Sequence, residues 1–350
     1  MRNGKGTTKA HILVLVPNWL GDVVMCTPAL RALRQHYPEA KLSIAGRSGV
    51  CDLLKDLTWI DHREIIPEKP SLTQMIRLAA RLRASQYDLI VIFPHSFRTA
   101  LLARLIGGRQ RIGYKRNGRH WLLTRTKEPY REEGVVTPIY MTKEYVELVT
   151  LIGCKDDNKG LELGLCKKIV QAITPQLAGN TPIIGIAPGA AFGPSKRWPP
   201  EKFAQAINQI ASEMDVRFIL LTGPKEESIR ETIKAATEID FIEPQLSKAG
   251  IAELKVLIAQ IDLLICNDSG PRHIAIAFKR PVICIMGSTS PRYSDSPYEI
   301  GEIVRLPLPC SPCQKPICPL KHHRCMQDIT PEQIAKMALQ ILQPPPHTTP

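Results

Sequence analysis

The stretch HILVLVPNWLGDVVMCTPALRALRQHYPEAKLSIAG, residues 11–46, sets the fold. HILVLV (11–16) is apolar without alternation, which suits a strand buried on both faces. DVVMCTPALRALRQH (22–36) has apolar positions at helical spacing and stops before Pro38. KLSIAG (41–46) is strand-like again. Strand, helix and strand at this spacing predict a parallel pair joined by a crossover helix.

The alternation continues downstream. SLTQMIRLAARLRA (71–84) predicts a helix with Leu72, Met75, Ile76, Ala79 and Leu82 on one side, and DLIVIF (88–93) a buried strand. It weakens over 128–180, where helices are expected over 142–152 and near 167–178 around the polar KDDNKG. It restarts with strand IIGIA (183–187), helix EKFAQAINQIASEM (201–214) and strand RFILLTG (217–223). Helix EESIRETIKAA (226–236), strand DLLICN (262–267), helix PRHIAIAFK (271–279) and strand VICIMG (282–287) follow. The expected fold class is α/β, with two Rossmann-like, doubly wound parallel-sheet domains over 10–165 and 180–343 facing across a cleft. A disordered basic tail is expected at 1–9 and a proline-rich one at 344–350. In such sheets ligands bind outside the carboxyl ends of the strands.

Composition narrows the function. The chain has 350 residues, 44% hydrophobic and 23% charged, as an ordinary globular protein does. That excludes a disordered chain, a collagen, a coiled coil and a small secreted scaffold. No apolar run approaches the roughly 18 residues of a membrane span. The first run is broken by Pro17 and Asp22, unlike a signal peptide, so a cytoplasmic protein is expected. The net charge of +13 points to an acidic partner. From Leu89 to Lys127 there is no Asp or Glu, yet nine residues are basic: Arg98, Arg104, Arg109, Arg111, Lys115, Arg116, Arg119, Arg125 and Lys127. An anion-facing surface is expected there.

The loops after the strands hold the chemistry. Asp22 follows the first strand in PNWLGD, where a helix begins. It suits a helix cap or a general base kept ionised by the positive helix end. No GxGxxG is present, so the loop is not a dinucleotide fingerprint. In PGAAFGPSKRWP (188–199), Gly189, Ala190 and Ala191 let a phosphate approach the backbone, and Lys196 and Arg197 add positive charge. In GPKEE, Glu226 and Glu227 could accept ribose hydroxyls or complement the helix dipole. In NDSGPRH, Asp268, Ser269 and Gly270 lead into Pro271 at a helix start, with His273 one turn in. Each segment alone reads as an ordinary cap or core feature. Three phosphate-type loops on one sheet point to a nucleotide-sugar.

PNWLGDVVMCTPALRALRQHYP, PGAAFGPSKRWP and NDSGPRHIAIAFKRPVICIMGSTSP together resemble the glycosyltransferase family 9 heptosyltransferases, over about 11–343. The resemblance implies a GT-B fold with the acceptor on the first domain and ADP-L-glycero-D-manno-heptose on the second. It implies an inverting, metal-independent transfer of heptose to the first heptose of the lipopolysaccharide inner core. Asp22 would be the base, Lys196 the phosphate ligand, and Asp268, Ser269, Gly270 and His273 the late acidic motif. The ribose position falls within 225–227, open between Lys225 and Glu226. The implied partner is a phosphorylated lipid A core at the inner leaflet of the cytoplasmic membrane, met by Arg98, Arg116 and Arg119. No cofactor is required.

Cys310, Cys313, Cys318 and Cys325 stand outside that resemblance, with His322 and His323 between them. They suit a structural zinc, with a histidine able to replace one cysteine, or four free thiols. In sequence they are far from the expected chemistry. Rival functions are a sister heptosyltransferase, a GT-B sugar-nucleotide epimerase, which would turn over donor without acceptor, and a nucleic-acid binder. The last lacks any RNP, zinc-finger or helix-turn-helix signature.

Overall fold

A computed structural model of the chain describes residues 9–244 and 250–343. Of the basic tail expected at 1–9 only Lys9 is described, and the proline-rich tail 344–350 lies outside the described residues. The chain divides into two compact units, Met1–Gly164 and Leu165–Pro350. The helix Lys167–Leu177, expected at the boundary, belongs to the second unit and packs on the helix Gly250–Gln260.

The first unit is built on β1 His11–Leu15, β2 Lys41–Gly46, β3 His62–Ile65, β4 Leu89–Ile92, β5 Gln110–Tyr114 and β6 Arg125–Lys127. Their order is β3-β2-β1-β4-β5-β6, and every pairing is parallel. The strand order therefore reverses between β1 and β4, which opens a crevice at their carboxyl ends. β4 is buried along its whole length and β1 at every position after His11, as apolar runs without alternation require. A small antiparallel hairpin, β7 Arg131–Glu132 with β8 Val135–Val136, follows.

Two local expectations fail here. The helix expected over 22–36 is two helices, Leu20–Met25 and Thr27–His36, broken at Cys26. Pro28 has no N–H to bond back to Val24, and the Thr27 hydroxyl takes the Val24 carbonyl instead, at 2.7 Å. The helix Leu72–Arg83 opens with a capping box between Ser71 and Gln74. It buries Met75, Leu78, Ala79 and Leu82, while Leu72 and Ile76 are exposed. The buried stripe is rotated from the expected one because Leu78, not Leu72, completes the turn with Met75 and Leu82.

The second unit carries β9 Ile183–Ala187, β10 Arg217–Leu220, β11 Leu263–Asn267, β12 Val282–Ile285 and β13 Gly301–Val304. The order is β10-β9-β11-β12-β13, again all parallel. Here the reversal falls between β9 and β11. Trp198, fully buried, anchors the loop after β9. Its ring meets Phe203 edge-on at 4.8 Å, and its indole N–H donates to the Ile329 carbonyl at 3.2 Å. Removing such a side chain costs about 3–5 kcal/mol, enough to fix where the loop ends. No helix among the described residues is long and apolar enough to cross a membrane.

Candidate active site

At the β9–β11 reversal two loops are tied together before any ligand arrives. Asn267, the last residue of β11, accepts from the Trp198 N–H at 3.0 Å and donates to the Pro188 carbonyl at 2.6 Å. The next residue, Asp268, is buried. Its Oδ2 lies 2.6 Å from Lys196 Nζ and accepts from the Thr289 hydroxyl at 2.8 Å. Its Oδ1 accepts from Arg272 at 3.0 Å and from Ser294 at 3.3 Å. Burial alone would raise this carboxyl; Lys196 and Arg272 outweigh it and hold it well below the usual carboxylate range. Arg272 is itself fully buried and closes a two-pronged pair with Glu299 at 2.6 and 2.7 Å.

The helix Gly270–Ala277 starts beside this pair, with Ser269 as its extended N-cap. Ser269 Oγ and His273 Nδ1 are buried without a hydrogen-bond partner among the described residues. Burial, then Arg272 and Lys196, push the His273 imidazole down to about 3 against an opposing pull from Asp268, so it is neutral at pH 7. A fixed cation, a positive helix end and two unused polar atoms converge at one sheet reversal. That combination takes an anion.

The neighbouring loops supply the wall. Glu226, before the helix Glu227–Ala235, accepts from the Gly223 N–H at 2.8 Å. A Cβ at Gly189 would meet the Glu226 carboxylate, so any larger residue there would push that side chain away. Ala190 is buried, and its carbonyl accepts from Arg197 at 3.2 and 3.3 Å. Gly189, Ala190, Lys196, Glu226, Asp268, Ser269, Gly270 and His273 therefore gather at the carboxyl edge of β9, β10 and β11. Sequence reasoning missed Arg272, Glu299, Thr289 and Ser294. Arg272 was legible, since it stands four residues after Asp268 in NDSGPRH and faces it on one helical turn.

The chain matches the family described as glycosyltransferase family 9 (heptosyltransferase) over residues 75–324. It belongs to glycosyltransferase family 9. It is 28% identical over 336 residues to a lipooligosaccharide heptosyltransferase 2 of Campylobacter jejuni, covering 95% of this chain and 98% of that one. Among solved structures, E. coli ADP-heptose lps heptosyltransferase II superposes with a TM-score of 0.75 at 24% identity, covering 95% and 98% of the two chains. A family 9 glycosyltransferase of Veillonella parvula superposes at 0.83 with 22% identity, covering 97% and 99%. The chain is thus a glycosyltransferase of the two-Rossmann-unit, GT-B class.

In the first unit of this glycosyltransferase, Asp22 lies in the first turn of the helix Leu20–Met25, after β1. Cys26 and Tyr145 both lie in the field of its carboxylate. After β4, His95 Nε2 stands 2.8 Å from Oε1 of the buried Glu144, and Arg116 stands 3.8 Å from the same oxygen. Asp22 and this group flank the β1–β4 reversal in sequence order.

The basic stretch 89–127 differs from the expectation. Arg119 is fully buried and is corrected from acceptor surface to scaffold. Its guanidinium donates to the carbonyls of Tyr114 at 3.2 Å, Ser96 at 3.2 Å and Pro94, clamping the ends of β4 and β5. Burial, with Arg116 beside it, lowers it to about 10. Acids from outside the stretch compensate others: Glu128 for Lys115 at 2.7 Å, Glu147 for Lys127 at 3.4 Å, Glu144 for Arg116. Arg98 is exposed, donating to the Pro70 carbonyl, and Arg104 is exposed too.

None of the four late cysteines is in a disulfide. Among the described residues no three cysteine, histidine or acidic groups are gathered into a formed metal site. Nor are they remote from the loop of Lys196. Their segment bonds directly to Ser195, whose N–H donates to the Pro316 carbonyl at 3.1 Å and whose hydroxyl donates to the Lys315 carbonyl at 2.5 Å.

Proposed function

We propose that this glycosyltransferase moves L-glycero-D-manno-heptose from ADP-heptose to the first heptose of the lipopolysaccharide inner core, with inversion. The Lys196–Asp268 pair at the β9–β11 reversal carries the reading: it presents a fixed cation beside the Gly270 helix end, as a leaving diphosphate needs. The likeness to the Campylobacter and E. coli heptosyltransferases supports the choice of sugar.

Asp22 takes the proton of the acceptor hydroxyl as that oxygen bonds to the anomeric carbon. The bond from that carbon to the ADP oxygen breaks on the opposite face, and ADP leaves with the electron pair. Lys196, the Ser269 hydroxyl and the Gly270 N–H offset the charge growing on the diphosphate. Glu226, beside Gly189 and bonded to the Gly223 N–H, is the group assigned to the ribose. Donor charge is met by protein groups, so no divalent metal or cofactor enters the chemistry. Exposed Arg98, and Arg116 so far as Glu144 leaves its charge uncompensated, face the phosphates of a lipid A core at the inner leaflet of the cytoplasmic membrane, and nucleic acid is not a partner.

The test is a transfer assay with ADP-heptose against acceptors bearing no, one or two heptoses. Product only with the one-heptose acceptor is expected. Preference for another acceptor would make the chain a sister heptosyltransferase. Donor turnover without acceptor would make it an epimerase or hydrolase.

A further inference from the structure

Between Val304 and Arg324 the chain has neither helix nor strand, yet it is bound tightly to the loop after β9. Besides the two bonds from Ser195 to Pro316 and Lys315, the Ser195 hydroxyl lies 3.0 Å from that of Ser288, and His323 Nε2 lies 3.0 Å from the Ser195 carbonyl. Gly193 sits so close to Pro316 that a Cβ there would overlap it. A long segment without regular structure needs another restraint to hold such contacts. Behind it is a cavity of about 20 Å³ lined by Cys310, Cys313, Cys318, His322, His323 and Cys325, with Ser195 and Ser288 on its inner wall.

We propose that Cys310, Cys313, Cys318 and Cys325 form a four-thiolate site for a thiophilic divalent ion, zinc or iron(II), which fastens this segment under the donor loop. Four sulfurs spaced over 16 residues around one small cavity supply the number and kind of ligand that such ions take. The four thiolates, and not the histidines, are the ligands. His323 donates from Nε2 to the Ser195 carbonyl, which ties its ring to the loop after β9. His322 Nδ1 accepts from the Arg324 N–H at 3.0 Å, so its Nε2 carries the proton and points to Cys310 Sγ at 3.9 Å. That is the outer-shell donor expected beside a thiolate, not a ligand. Lys315 and Lys321, both exposed in the same segment, offset part of the charge of four thiolates on one divalent ion.

The four thiols line the cavity without converging on a single point. Closure requires side-chain rotation: Cys310, Cys313 and Cys318 lie in the segment free of regular structure, Cys325 lies in the short helix Arg324–Gln327, and each sulfur is one rotatable bond from the backbone. On binding, each thiol releases its proton to solvent and the ion takes four sulfur bonds, with no change of oxidation state. The ion then stabilises the position of Ser195, and through it of Lys196, without touching the donor.

The experiment uses the full chain, purified under reductant without a metal-binding tag. Elemental analysis is expected to find about one zinc or iron per chain, and its identity separates the two. The chain stripped of metal and titrated with Co²⁺ is expected to show thiolate-to-cobalt charge-transfer and tetrahedral ligand-field bands. They should saturate near about one equivalent. Cys313→Ser and Cys318→Ser should lose the bands, and Cys166→Ser, outside the cluster, should keep them. ADP should bind the stripped chain several-fold more weakly than the loaded one. Absence of the charge-transfer band in the wild-type chain, which needs no variant to fold, overturns the site. Equal ADP affinities with and without metal overturn its link to the donor loop.

Discussion

Lys196 Nζ and Asp268 Oδ2 are held 2.6 Å apart across the reversal of the second sheet, at 15% and 7% exposure. Asp268 is saturated by Lys196, Arg272, Thr289 and Ser294, so it acts as the anchor of the cation. Lys196→Ala is therefore expected to weaken ADP binding by about 10–100-fold, the worth of a charged hydrogen bond of roughly 1.5–3 kcal/mol. Calorimetric titration with ADP checks this, and an affinity within twofold of wild type would remove Lys196 from the donor site.

Asp22→Asn should bind ADP-heptose nearly normally and lose transfer by about 10²–10⁴-fold, the usual contribution of a general base. Single-turnover rates at saturating donor decide it. A variant that keeps its rate within a few-fold leaves Asp22 as a helix residue only.

The two arginines Arg119 and Arg98 should separate cleanly. Arg119→Met strips the donors from three carbonyls and should destabilise the fold by roughly 1–3 kcal/mol or more, seen as a lower melting temperature. Arg98→Glu should leave stability and ADP binding alone and raise the acceptor KM. Added salt should mimic it, since an exposed charge is screened over about 8 Å at physiological ionic strength. An acceptor without phosphates that behaves identically would return Arg98 to ordinary surface.

His273 predicts a pH dependence. Its folded pKa of about 3 lies below the ordinary value of 6.5. Below pH 6.5 the unfolded chain binds a proton that the folded chain refuses. Stability should fall from there towards pH 3, by up to about 1.4 kcal/mol per pH unit, and be unaffected by this group above it. Asp268, also depressed, gives up its contribution only nearer the carboxylate range. Urea midpoints between pH 4.5 and 7 should therefore fall less steeply for His273→Gln than for wild type; equal slopes would show that His273 is not held neutral.

Transfer should need no added Mg²⁺ or Mn²⁺. The rate measured shortly after EDTA addition, before a tightly held thiolate-bound ion could leave, should equal the untreated rate. A strict requirement for added divalent ion would mean that Lys196 and the Gly270 helix end do not suffice for the diphosphate.

Much of this was written locally in the chain. Unalternated apolar runs at 11–16, 88–93 and 183–187, with helical spacing between them, determined buried parallel strands, because only a sheet covered on both faces buries every side chain of a strand. The loops that follow such strands are where ligands bind, so Lys196, Asp268 and Ser269 could be named from sequence. Tertiary structure decided which charges remain available. The stretch 89–127 has no acid of its own, yet Glu128, Glu144 and Glu147 fold back onto it and Arg119 is buried among carbonyls. It also brought Cys310–Cys325 against Ser195, more than a hundred residues earlier in the chain. Secondary structure follows from short-range periodicity, which a sequence displays. Charge pairing and loop docking depend on partners far apart along the chain, and only the fold brings those together.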